Sequence, residues 1–518
     1  MTLAYTYTAC LAQIGSRIFW ATSALEDLVV VGADASNAFA EAPTPKAPLF
    51  VTVDTPFREW WNSLGRTPIP KGFVLPVRHA LQGHPESPRL WAEFIDNIIQ
   101  KEVGLKPTTH EPCLYHGVID GQRVILLRQV DNFAVASTNT QICNKVIDHI
   151  SKSPTAPMKK LGLIDDFNGV QIQQHQQYIK LHNSKYIKQI LDKHEWLHDT
   201  YKSHSKPTPM RSNTKYLEEL ENDVGPSSEQ DRKELETNMG FKYRGALGEA
   251  LYAMITCRPD ISVPIMKLSQ YANNPAEIHY VALKNVFRYL RSTIDKGITF
   301  WRKTQSRHKD LDDSSTNHIP QISHPFLKYE PSRALGGADI DWAGDTKHRK
   351  SVSGMTVIYG GVVIAYKSKC QRTIAQSSTE AEFAAACDAA KLILHIRSIL
   401  DEIKVPQNAA TMLFEDNQGA LMMANAGQPT RRTRHICIKQ FALMDWVKED
   451  LLELKYIETS KNCADALTKQ LDRILYHRHF DVLMGINKPP YANFPRTPST
   501  HDSTCSHSQD HSSMGGVK

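Results

Sequence analysis

Cysteine is sparse here and never usefully spaced. Cys10, Cys113, Cys143, Cys257, Cys370, Cys387, Cys437, Cys463 and Cys505 are scattered over 518 residues with no Cys-x-x-Cys pair, which argues against a disulfide-stapled scaffold and a zinc ligand set. A reduced, intracellular setting is the economical expectation. No apolar run approaches the roughly 20 residues of a membrane span, and the stretch after Met1 lacks the charged start and continuous apolar segment of a secretion signal. Neither membrane insertion nor secretion is expected. Charge of one sign is scarce too: 61 Lys and Arg stand against 55 Asp and Glu, a formal net charge of +6. That balance is compatible with a polyanionic partner but does not establish one.

What the chain does have is acids in restricted company. In the last third, Asp339 sits in Gly337-Ala338-Asp339-Ile340-Asp341-Trp342, Glu382 in Ser377-Ser378-Thr379-Glu380-Ala381-Glu382-Phe383, Asp416 in Phe414-Glu415-Asp416-Asn417-Gln418 and Asp465 in Cys463-Ala464-Asp465-Ala466-Leu467-Thr468-Lys469. Taken singly, an acid at a strand end or helix start is most often a cap or a solvated charge. Four that can converge are what two divalent ions about 4 Å apart require, and hard oxygen ligands suit Mg2+ or Mn2+.

A second constellation lies near the N-terminus. The apolar run Leu28 to Val31 leads into Asp34, and two strand-like runs meet at Asp131-Asn132, with Leu81-Gln82-Gly83-His84 between them in sequence. An Asp-Asn turn alone is ordinary backbone chemistry.

Short strand-like and helix-like runs alternate to about residue 200, including a helix over Pro88 to Ile95. Residues 201–240 are polar without an apolar face and read as a linker. Helical periodicity returns over 241–302, where Pro259 and Pro264 divide it into two or three helices. A second polar linker covers 303–334. Within 335–470, a hairpin turning at Gly360-Gly361, an Ala-rich helix from about Glu382 to Ile403 and a strand over Thr411 to Phe414 would bring strand ends and helix starts to one sheet edge. Residues 471–518, rich in Pro, Ser, Thr and His, read as a disordered tail.

In this order the C-terminal strings resemble the ribonuclease H domain of copia-type retrotransposon polyproteins. The N-terminal strings resemble the same family's reverse-transcriptase palm, as do Phe167-Asn168-Gly169-Val170 and Arg258-Pro259-Asp260-Ile261. The resemblance implies an α+β palm with a helical connection, followed by an α/β ribonuclease H-like domain on a central mixed sheet. It also implies two Mg2+ or Mn2+ ions per active site, held by Asp34 and Asp131 in one and by Asp339, Glu382, Asp416 and Asp465 in the other. Gln82 and Gly83 would lie beside the incoming nucleotide and template. The implied partners are RNA-DNA hybrid, primer-template and deoxynucleoside triphosphates, and the implied locations a cytoplasmic particle or the nucleus; oligomeric state is left open. Asp341, Glu380 and Glu415 are expected outside the metal shell, and Trp342 in packing.

Two departures qualify that picture. The family hairpin carries two aspartates, whereas the second position here is Asn132; Asn keeps the turn but not the charge that offsets repulsion between two cations. Cys437 replaces an Asp that usually follows the His-Ile of Arg431-Arg432-Thr433-Arg434-His435-Ile436. The basic residues there, with Lys439, read as a solvated face or a phosphate track. With no upstream fingers segment before Asp34, the chain reads as a piece of a larger polyprotein. Polymerase chemistry is expected to be impaired and ribonuclease H chemistry better preserved. The alternative is a non-catalytic remnant that binds nucleic acid weakly or not at all.

Overall fold

The computed structural model describes residues 8–45, 49–152, 157–197, 206–302, 308, 311, 334–345, 350–372, 374–426, 438–487 and 489. The first helix, α1 (Gln13–Leu25), is buried along most of its length and precedes β1 (Val29–Ala35). Then come α2 (Ala38–Glu41), β2 (Phe50–Thr52), α3 (Thr55–Ser63), β3 (Val74–Pro76) and α4 (Ser87–Ile98). Strands β4 (Lys106–Pro107), β5 (Leu114–Ile119), β6 (Gln122–Gln129) and β7 (Asn132–Ser137) follow, with α5 (Thr140–Ser151) and β8 (Met158–Leu163). They build a six-stranded sheet in the order β4-β5-β6-β7-β1-β8. The continuous Val29-Val30-Val31 run is the signature of a strand covered on both faces, and those residues are almost wholly buried.

A small sheet then forms from β9 (Asp166–Phe167), β10 (Val170–Gln174) and β11 (Tyr178–His182), and α6 (Ser184–Lys193), α7 (Thr214–Asn222), α8 (Glu229–Met239), α9 (Tyr243–Thr256), α10 (Ser262–Ser269) and α11 (Glu277–Ser292) lead to its edge strand β12 (Gly297–Trp301). Three helices over Tyr243–Ser292 agree with the expected number; Pro259 separates the first two, but Pro264 lies inside α10 and the second break falls after Ser269. The expected linker over 201–240 needs correction, because α7 and α8 occupy much of it. The signal of α8 was in its ends: Ser228 Oγ accepts the Asp231 amide at 3.0 Å, and Gly240 closes it at φ +77°. Caps compensate for the missing apolar face.

The last sheet contains β13 (Leu335–Asp345), β14 (Lys350–Tyr359), β15 (Val362–Cys370), β16 (Thr411–Glu415) and β17 (Leu452–Tyr456), in the order β15-β14-β13-β16-β17. It is mixed: β15, β14 and β13 pair antiparallel, while β13, β16 and β17 run parallel. The turn at Gly360-Gly361 uses positive φ at both residues, +69° and +78°. Helix α12 (Ser378–Glu402) covers one face, its buried alanines 381, 385, 386, 389 and 390 allowing close approach; α13 (Gln418–Asn425) and α14 (Ile438–Lys448) complete that side.

The tail expected from residue 471 also needs correction. Helix α15 (Arg473–Leu483) is capped by Asp472, and Tyr476 donates a hydrogen bond of 2.7 Å to the Asp260 carbonyl. Beyond it, Thr299 N donates to Met484 O at 3.0 Å and Trp301 Nε1 to Gly485 O at 2.6 Å. A side chain at Gly485 would meet Thr299 O at 2.2 Å, so this contact needs glycine. Residues 490–518 and nearly all of the expected linker 303–334 lie outside the described residues.

One apolar core joins the first and last sheets through α1: Ile18, Phe19 and Trp20 cluster with Ile125 on one side and Val357 and Ile364 on the other. Arg17, almost fully buried, donates to Ile364 O at 3.3 Å and Thr256 O at 3.0 Å. The N-terminal helix therefore belongs structurally to both halves.

Candidate metal centre and the N-terminal acid pair

The C-terminal acids are assembled by elements far apart in sequence. Asp339 lies on β13 and faces Gly354 of β14 across the ladder. Glu382 occupies the second turn of α12, whose start is fixed by Ser377 Oγ accepting the Glu380 amide at 3.2 Å and by Glu380 accepting the Gln376 amide at 2.8 Å. Glu380 is thereby engaged in capping. Asp416 follows the last residue of β16 and accepts a 2.6 Å hydrogen bond from Thr459 Oγ1.

Carboxylate oxygens of Asp339, Glu382 and Asp416 all lie within 4.8 Å of one another, the one such group of three or more potential ligands among the described residues. Asp465 arrives on a short 3-10 turn, Cys463–Leu467, laid against the sheet. A Cβ at Gly354 would meet Ala464 O at 2.5 Å and Thr468 Cγ2 at 2.7 Å, so the bare backbone opposite Asp339 is what admits the turn. Thr468 Oγ1 lies 2.9 Å from both Asp339 Oδ2 and the Asp465 carbonyl, linking the two acids. Asp465 pairs with Lys469 Nζ at 2.5 Å.

Burial makes this a costly place for negative charge. Asp339 is 2% exposed and Glu382 6%. Desolvation, followed by the charges of Asp465, Glu382 and Asp416, raises the Asp339 pKa well above the usual range, with the Thr468 hydrogen bond opposing. Desolvation, then Glu415 and Asp416, pushes Glu382 up to about 10. Burial works against the charge on Lys469, but its bond to Asp465 and the charges of Asp465, Asp339 and Asp341 outweigh that and raise its pKa. Buried acids crowded against one another stay charged only when a cation joins them, and otherwise take up protons.

Glu415, expected outside the site, is fully buried and interacts directly with Glu382. Its own pKa is raised well above normal, by burial first and then by Asp416 and Asp339, against the bond it accepts from the Asn417 amide. It is not one of the three grouped ligands. The available signal was the strand itself: Thr411 to Glu415 is buried at every position, so its last residue could not face water. Asp341, also expected outside, is absent from the three-ligand group, and burial raises its pKa. Cys437 and the basic run Arg431, Arg432, Arg434 and His435 lie outside the described residues, as do the side chains of Trp342 and Lys439.

The N-terminal pair is built differently. Asp34 lies near the end of β1, directly across from Asn132 at the start of β7, and Ala35 N donates to Asp131 O at 2.8 Å. Val130 and Asp131 form the two-residue turn between β6 and β7, Val130 holding φ +55°, a conformation unfavourable for a β-branched residue. Trp91 of α4 supports it, donating from Nε1 to Val130 O at 2.8 Å. Asn132 donates from Nδ2 to Asp131 Oδ1 at 3.2 Å, so an amide proton sits where a second carboxylate would bring negative charge. All three side chains are partly exposed. Gln82 is exposed beside Gly83, which has φ +89°, in the turn leading to α4.

The donors fit divalent ions to different degrees. In the C-terminal cluster, three converging hard-oxygen ligands and the buried, unpartnered Oε2 of Glu382 suit an oxygen-seeking cation. The N-terminal pair presents two carboxylates and one amide.

The fold thus presents two acid sites, a partly exposed pair beside a tight hairpin and a buried cluster on a mixed sheet. A family model described as reverse transcriptase (RNA-dependent DNA polymerase) matches residues 14–211. The chain is 28% identical over 408 residues to the retrovirus-related Pol polyprotein from transposon TNT 1-94 of Nicotiana tabacum, covering 78% of this chain and 27% of that protein. To the Pol polyprotein from transposon RE2 of Arabidopsis thaliana it is 26% identical over 421 residues, covering 81% and 25%. These matches over most of the chain support a retrotransposon Pol polyprotein of the copia type, and the chain spans about a quarter of the length of these relatives. A solved foamy viral protease-reverse transcriptase in complex with ds DNA aligns over 83% of this chain and 59% of its own, at 11% identity and a TM-score of 0.18, too low to compare the folds. Among the described residues no helix is long and apolar enough to cross a membrane.

Proposed function

We propose that residues from 335 through α15 form a ribonuclease H-like unit that cleaves the RNA strand of an RNA-DNA hybrid, and that residues 1–200 form a reverse-transcriptase palm with weakened polymerase chemistry. The convergence of Asp339, Glu382 and Asp416 within 4.8 Å carries the first reading. Two divalent ions, Mg2+ or Mn2+, would supply stabilisation of the attacking and leaving oxygens of a phosphodiester. Asp339, Glu382 and Asp416 would hold them, with Asp465 at the edge and Thr468 keeping Asp339 and the Asp465 turn in register. Lys469 balances part of the charge the acids bring. The activity to measure is hybrid cleavage in Mg2+, with single-stranded RNA and duplex DNA as controls. Cleavage of hybrid alone supports the reading; no cleavage, or indifference to chelator, overturns it.

For the palm, Asp34 and Asp131 would hold the ions, with Gln82 and Gly83 beside the nucleotide and template. Asn132 favours a site that binds primer-template and deoxynucleoside triphosphates but extends slowly. Its amide withholds a negative charge from the place where two cations and a triphosphate would meet. Primer extension far below that of a functional polymerase, with primer-template binding intact, is the expected result.

A further inference from the structure

Between Asp34 and Gln82 the chain makes an excursion that has almost no core of its own. It leaves and rejoins the N-terminal sheet region where Ala80 N donates to Ala42 O at 3.1 Å, and Val77 N donates to Leu49 O at 2.8 Å. Between those ties, β2 and β3 pair over three residues, Phe50 opposite Pro76 and Thr52 opposite Val74, and α3 has no buried residue. Val53 is the one buried position in 49–79. A hairpin this short with a single helix is marginal in water without something to cover it.

Its exposed face is aromatic. Asp54 caps α3 by accepting the Phe57 amide at 2.9 Å, and the next turn presents Trp60 and Trp61 one after the other. Phe57 lies 5.3 Å from Trp60 and 6.1 Å from Trp61, ring centre to ring centre. Trp60 is 52% exposed and Phe50 57%. Trp61 is oriented by its Nε1 donating to Thr67 O at 2.8 Å, and the Arg66 guanidinium lies 4.5 Å from the centre of its ring. Across 49–79 four cationic side chains stand against two acidic ones. Exposed rings beside a guanidinium stacked on Trp61, in a segment of net positive charge, fit a strand that offers unpaired bases and phosphates together. A purely apolar protein partner would not draw on the positive balance.

We infer that this excursion is a stacking platform for unpaired nucleic acid entering or leaving the N-terminal acid pair, with Trp60 as its principal base contact. The inference rests on the nucleic-acid reading of the N-terminal half proposed above. It requires no turnover, so the two can fail separately.

The test uses the full chain and a fluorescein-labelled oligothymidylate of about 20 nucleotides, titrated by anisotropy at about 0.1 M salt. Trp60→Leu keeps an apolar side chain but removes the ring; Trp60→Phe keeps a ring. The leucine variant is expected to bind roughly fivefold to a hundredfold more weakly, and the phenylalanine variant within about twofold of wild type. Arg66→Ala should flatten the salt dependence. Trp60 is exposed, so both Trp60 variants should melt with wild type. Asp34→Asn should bind as wild type while losing extension, which separates a failure of the polymerase reading from a failure of this surface. Equal binding by the leucine and phenylalanine variants, or no binding by wild type, overturns the platform. Wild-type self-association that Trp60→Leu removes, without a binding difference, assigns the face to a protein partner and also overturns it.

Discussion

The two acid sites of this chain differ most in where their charge is kept. Asp34 and Asp131 sit partly exposed at the rim of a hairpin, where water screens them and exchanging a neighbouring Asp for Asn costs the fold little. Asp339, Glu382 and Glu415 are buried, and burial together with the neighbouring carboxylates raises the cost of ionising each of the three. A solvated site can lose a charge without structural consequence. A buried cluster pays for each charge it keeps, and the difference predicts different responses to exchanging Asp and Asn at the two sites.

The largest expected effect is at Asp339. Asp339→Asn should lower hybrid cleavage by roughly a thousandfold, about 4 kcal/mol of transition-state stabilisation, while hybrid binding changes little because phosphate contacts dominate affinity. In metal-free buffer the variant should melt higher than wild type, since a buried like charge is gone. Equal cleavage by both proteins would place the nuclease elsewhere. At the exposed site the change runs the other way: Asn132→Asp should raise primer extension by up to about a hundredfold, near 3 kcal/mol, with no rise in melting temperature. No gain would put the polymerase defect outside the turn.

Smaller effects sharpen the contrast. Gly354→Ala should push the Cys463–Leu467 turn off the sheet and cut cleavage by about tenfold, roughly 1.4 kcal/mol, leaving extension unchanged; unaltered cleavage would remove Asp465 from the site. The smallest effect is in pH. Because the folded pKa of Glu382 is raised to about 10, its contribution to stability is complete below its unfolded value and is lost as pH rises through about 10. In chelator the melting temperature should therefore fall from pH 5 towards pH 9, and Mg2+ should restore it most at the upper end. A profile in chelator that Glu382→Gln leaves unchanged would refute this assignment.

Much of the architecture was legible because it is locally encoded. The apolar run before Asp34, the Gly360-Gly361 turn and the Ala-rich stretch after Glu382 each name their element by period or by turn chemistry. The errors arose where local apolarity was the wrong measure. Helix α8 is stabilised by its ends, and α15 reads as polar tail until Tyr476 reaches the Asp260 carbonyl. Glu415 stands outside the three-ligand group as expected, but the strand buries it against Glu382, a contact that no motif announces.

The sequence by itself determined which acids are present, their order, and the Asn at position 132, because those are chemical identities that no fold can alter. Only the tertiary structure decided which of them share a space. Asp339 and Asp465 are neighbours because Gly354 lacks a side chain, and Glu382 meets Glu415 because α12 lies on the sheet face that buries the end of β16. Periodicity reports that a residue is covered, but not by what; that depends on elements distant in sequence coming into contact, and it is this contact that gathers separate carboxylates into one cluster.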